Sequence, residues 1–122
     1  MPSRQKTKGD AAEREIADVL TLLLGQRVRR KLGAGRLDDT GDLDGLTDTT
    51  VQVANWADAL RAVREKPLGC ETQRQNAGTT FAATAVRLRG GVWRIVMTPE
   101  QFATWYREAT QPSDQPEPQE AA

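Results

Sequence analysis

The sequence contains no histidine and a single cysteine, Cys70. A lone cysteine excludes an internal disulfide. Without histidine, the usual zinc ligand sets cannot be assembled. Any metal bound here takes oxygen ligands, which points to magnesium, manganese or calcium. Long apolar runs are missing too. The greasiest stretch, residues 19–24, is too short to span a bilayer and carries Thr21, so no membrane partner is expected. The opening MPSRQK lacks the apolar segment of a signal peptide, and a cytoplasmic location is expected. Net charge is also absent, with 17 Lys/Arg against 17 Asp/Glu.

What remains is 122 residues, 28% charged and 38% hydrophobic, enough for one domain with one modest core. The charge is segregated. Residues 1–36 carry nine basic and four acidic side chains, and residues 37–66 carry three and seven. A basic front followed by an acidic segment fits a protein that grips phosphate and holds a cation. A basic tail followed by solvated loops would look the same.

The pattern predicts a flexible basic arm over residues 1–8, a folded domain over 9–110 and a disordered, Pro- and Gln-rich tail over 111–122. Ala12, Ile16, Val19, Leu20 and Leu23 recur at helix spacing, with Asp10 as the cap and Gly25 as the stop. Strands are expected over residues 27–32, 42–45 and 49–54, with a turn at Thr47 and Asp48. Residues 56–65 read as a helix with Leu60 and Val63 inward, and Pro67 opens a second helix ending at Gly78. A hairpin over 81–97 turns at Gly90-Gly91, with Trp93, Ile95 and Met97 inward. A last helix starts at Pro99 behind a Thr98 cap. This order predicts a single α/β domain with a mixed central sheet flanked by helices.

Three positions stand out as candidate cation ligands. Glu13 lies in the first helix, Asp42 at a strand start after the glycine loop, and Gln52 on the next strand. Oxygen ligands converging from separate elements suit magnesium. Each also has a plain use: Glu13 in a capping box, Asp42 and Asp44 as turn or edge residues, Gln52 as a polar strand residue. Trp56 reads as core or cap, and Trp105 and Tyr106 as core or dimer surface. The candidate phosphate contacts are Lys8, Arg27, Arg29, Arg30 and Lys31.

The segment KGDAAEREIADVL, residues 8–20, resembles the opening helix of the archaeal-type Holliday junction resolvases, with Glu13 on that family's helix carboxylate. TGDLDGL, residues 40–46, resembles the strand that presents the family's aspartate, here Asp42. TTVQVANW, residues 49–56, sits where the family shows Glu-x-Lys. This is the arrangement of PD-(D/E)XK nucleases, and the chain is similar to short resolvase-like proteins of phages that infect actinobacteria.

The resemblance implies a restriction-endonuclease-like fold and a homodimer. It implies metal-dependent endonuclease activity on branched duplex DNA, with Mg2+ or Mn2+ held by Glu13, Asp42 and Gln52. Gln52 and Ala54 replace the family's glutamate and lysine. Lys31, Lys66 and Glu71 are the candidate substitutes. The alternative is a catalytically silent nuclease fold that binds DNA or serves as a phage structural or assembly protein, for which a place in the virion is open beside the host cytoplasm.

Overall fold

The computed structural model describes residues 4–32 and 39–111. The start of the expected arm (1–3), the middle of the glycine loop (33–38) and residues 112–122 of the expected tail lie outside the described residues.

Helix α1 (Arg4–Leu24) begins at Arg4 rather than at Asp10, so part of the segment read as an arm is helical. Nothing between Arg4 and Asp10 breaks a helix except the mild penalty of Gly9. Asp10 is therefore not a cap. It lies inside the helix and pairs with Arg30 at 3.1 Å. Ala12, Ile16 and Ala17 carry the buried stripe, whereas Val19 and Leu23 are exposed, contrary to expectation. Gly25 ends the helix as expected, its N–H donating to the Thr21 carbonyl at 3.0 Å.

The next two strands are shorter than the sequence suggested. β1 (Arg29–Arg30) and β2 (Leu43–Asp44) form an antiparallel ribbon. Asp42 N–H donates to the Val51 carbonyl at 2.8 Å and so ties the ribbon to β3 (Thr49–Ala54). β3 crosses through α2 (Ala59–Ala77) to β4 (Phe81–Leu88), which pairs with it in parallel. β5 (Val92–Val96) returns antiparallel on β4, and α3 (Pro99–Thr110) closes the chain. The result is an α/β domain with a mixed three-stranded sheet in the order β3-β4-β5.

Side-chain alternation divides the sheet between the helices. Val51, Val53 and Ala85 face α1 and pack with Ile16 and Leu43. Ala54 and Val86 face α2 and meet Ala62. Ala82–Val86 of β4 are buried without interruption, as expected of a central strand covered on both faces.

Two expectations fail in α2. The helix is continuous through Pro67, where two helices were expected. Pro67 cannot donate to the Val63 carbonyl, a loss that costs about 3 kcal/mol in a helix interior. The buried Pro67 ring and a hydrogen bond from Gln101 Nε2 to its carbonyl, 3.1 Å, offset that loss. Leu60 is 69% exposed, because Ala62 takes the inward position beneath the helix. On β5, Ile95 is likewise exposed, although Trp93 packs against the α1 side of the core. The cap of α3 is as read: Thr98 and Gln101 form a reciprocal capping box.

Candidate functional site

Asp42 is placed by the residue before it. Gly41 has φ +99°, and a Cβ there would sit 2.9 Å from Thr50 Cγ2. Only glycine allows the ribbon to approach β3 this closely. The Asp42 carboxylate then turns back onto β3, where Oδ2 accepts the Val53 N–H at 2.7 Å.

Glu13 reaches the same place from α1, and Gln52 from the α2 side of β3. All three line one cleft of about 630 Å³. Lys66 from α2 lines it as well, together with Lys8, Asp39 and Gln73.

The electrostatics are those of carboxylates crowded out of water. The Glu13 carboxyl is pushed up to about 7, first by burial and then by the charge of Asp42, against the pull of Arg30. Burial raises Asp42 as well, opposed by the Val53 hydrogen bond and by Lys66 and Lys31. Perturbed carboxyls in a cleft mark a functional-site candidate.

Two amide oxygens in the lining have no partner. Gln52 is 7% exposed and Gln73 5%, and the Oε1 atom of each is buried without a hydrogen bond. Buried acceptors left open in this way are uncommon, and a water, an ion or a ligand can satisfy them. Gln73 donates through Nε2 to Asp39 Oδ2 at 2.7 Å. The donor set is therefore carboxylate and amide oxygen, which fits a hard divalent cation. Among the described residues, no group of three His, Cys, Asp or Glu could hold a metal ion.

Comparison with family models, with curated proteins and with solved structures finds no match to this chain. The resemblance to the resolvases therefore rests on the sequence motifs alone.

The other candidates divide. Ala54 is 1% exposed against Ala62 and Val86, pointing into the core rather than the cleft. Lys66 reaches the cleft instead, its Nζ 4.9 Å from the centroid of the Trp56 ring. Glu71 is turned away. It pairs with Arg74 at 2.9 Å, accepts Gln101 Nε2 at 3.4 Å, and lines a different cleft.

Arg30 is committed to Asp10 and Glu13, at 3.1 and 3.5 Å. Lys31 holds the Thr40 carbonyl and hydroxyl, both at 3.0 Å, and lies 3.6 Å from Asp44. Of the basic run, Arg27 and Arg29 are exposed and make no ion pair among the described residues.

Gln73 was missed from the sequence. Its signal was the spacing of Lys66, Cys70 and Gln73 on one helix face. Splitting α2 at Pro67 separated Lys66 from the other two.

Proposed function

We propose that this chain is a Holliday-junction-resolvase-like, divalent-cation-dependent DNA endonuclease. The observation that carries this reading is the convergence of Glu13, Asp42, Gln52 and Lys66, from four separate elements, on one cleft. Glu13, Asp42 and the open Gln52 Oε1 would hold Mg2+ or Mn2+, with the Gln73 amide beside them. When bound, such a cation lowers the pKa of a water and neutralises phosphate charge. Lys66 supplies the cation that Ala54 cannot. Its ammonium, 4.9 Å from the centroid of the Trp56 ring, would hold a non-bridging phosphate oxygen and favour charge developing on it. A twofold homodimer, able to cut two strands symmetrically, belongs to the same reading.

One observation favours a second reading. Arg30 Nε already lies 3.5 Å from Glu13 Oε2, where it competes with a cation for that carboxylate. The fold would then be a catalytically silent module that binds DNA or serves in phage assembly.

Calorimetric titration with Mg2+ and Mn2+, followed by incubation with four-way junction and linear duplex DNA in manganese or chelator, separates the two. The first reading expects binding and manganese-dependent cutting of the junction, with Lys66→Ala slower by roughly a hundredfold. No binding at millimolar concentrations sinks it.

A further inference from the structure

The acidic cleft is not isolated. A second cleft of about 400 Å³ adjoins it, and Lys8, Asn55, Trp56 and Ala57 line both. The charge changes sign between them. The lining of the first carries four carboxylates, Glu13, Asp39, Asp42 and Asp58, against Lys8, Arg61 and Lys66. The lining of the second contains Lys8, Arg87 and Arg89 and no acidic residue. Arg87 is held by Glu15 at 3.0 Å. Lys8 and Arg89 are exposed and make no ion pair among the described residues. Arg89 stands at the hairpin tip beside Gly90 and Gly91, whose positive φ angles let the chain reverse there. Trp56 forms the boundary. It is half-buried, packed on its core side against the cluster of Ala54, Ala62 and Val86.

We propose that an unpaired nucleic-acid strand lies along this basic cleft and passes Trp56 into the acidic one. Its phosphates rest on Lys8 and Arg89, and one base stacks on the Trp56 indole. The direction of the strand, toward the Glu13–Asp42 cleft, rests on the nuclease reading. Its occupancy rests on charge and shape.

A basic groove that tracks a backbone beside an aromatic platform is how single strands are held. A base inside a duplex is already stacked on its neighbours and has no face to offer an indole. Arg61 now lies 5.5 Å from the centroid of the Trp56 ring and pairs with Glu65 at 3.2 Å on an exposed surface. Lys66 Nζ lies 4.9 Å from the same centroid, so an incoming base displaces both cations, and each can turn to a phosphate. This surface differs from the one expected from the run Arg27–Lys31, half of which is spent on internal pairs.

The test is fluorescence anisotropy with a labelled oligothymidine of about 12 nucleotides, a length within the range of single-strand binding sites. It is done in chelator, so that nothing is cut. The wild type is expected to prefer this strand over a duplex of equal length. Lys8→Ala with Arg89→Ala should raise Kd about tenfold and flatten the salt slope by about 1.4, at about 0.7 per phosphate contact. Trp56→Leu should raise Kd on the order of tenfold, and Trp56→Phe should recover most of the loss, because a phenyl ring still stacks. Circular dichroism checks that each variant is folded. Arg27→Ala with Arg29→Ala should leave Kd within about twofold.

No strand binding by the wild type, a preference for duplex, or a loss confined to the Arg27 and Arg29 variant overturns the proposal. The nuclease reading fails separately. It falls if the wild type binds no divalent cation, while strand binding across Trp56 would stand.

Discussion

The Asp42 carboxylate accepts the backbone N–H of Val53 at 2.7 Å, so a candidate cation ligand also serves as a structural clasp between the ribbon and the sheet. The two roles can be separated by substitution. Asp42→Asn keeps an acceptor for Val53 but loses the charge. It should abolish calorimetric binding of Mg2+ and leave Tm within a few degrees. Asp42→Ala removes both and leaves the Val53 N–H without that partner, at about 1–2 kcal/mol of stability. Equal Tm for the two variants would show that the clasp contributes nothing.

Restoring the resolvase motif on β3 should not work as a pair. Gln52→Glu places a carboxylate where a buried amide oxygen has no partner. It should tighten Mg2+ binding and lower the stability of the cation-free protein. Ala54→Lys instead buries an ammonium between Ala62 and Val86 and should cost several kcal/mol. Thermal melts of the two single variants test this. A stable Ala54→Lys protein would mean that position 54 can reach the cleft after all.

Glu13 is held at the expense of stability. Its carboxyl is raised from 4.5 to about 7, so the folded state binds a proton that the unfolded chain has released between those values. The stability linked to Glu13 is therefore complete below about pH 4.5 and is lost as pH rises through 7. The amide of the Glu13→Gln variant stays neutral throughout. That variant should be more stable than the wild type at pH 8 by about 1 kcal/mol, after allowance for solvent screening, with the gap closing in acid. A Glu13→Gln protein melting lower than the wild type at pH 8 would contradict this.

Glu15, two residues further on, behaves in the opposite sense. It accepts Arg87 Nε at 3.0 Å and Trp93 Nε1 at 2.8 Å, and these hydrogen bonds hold its carboxyl below the ordinary glutamate value. The stability it contributes is present above that ordinary value and is lost as pH falls through the lowered one. The side chain is 42% exposed, so Glu15→Gln should cost only about 0.5–1 kcal/mol at pH 7. The difference should vanish under strongly acid conditions. Denaturant titrations at pH 7 and over a series of falling acid pH values follow the loss, and a constant difference would show that the carboxylate charge plays no part.

The local sequence determined the elements and most of their limits. β3 occupies residues 49–54 as read, the hairpin turns at Gly90 and Gly91, and the Thr98 box starts α3. Each of these depends on alternation, backbone freedom or a side chain reaching its own backbone, and all of that lies within a few residues. Glu13, Asp42 and Gln52 were also legible as candidates, because glycine, acid and strand patterns mark their positions. Tertiary structure decided what those residues meet. Packing carried α2 through Pro67, which no propensity would favour, and so brought Lys66 and Gln73 to the cleft. It spent Arg30 and Lys31 on internal partners, sent Glu71 to another face and buried Ala54. Those outcomes depend on contacts between residues far apart in the chain, such as Gln73 with Asp39 and Arg87 with Glu15, and periodicity along one segment does not encode them.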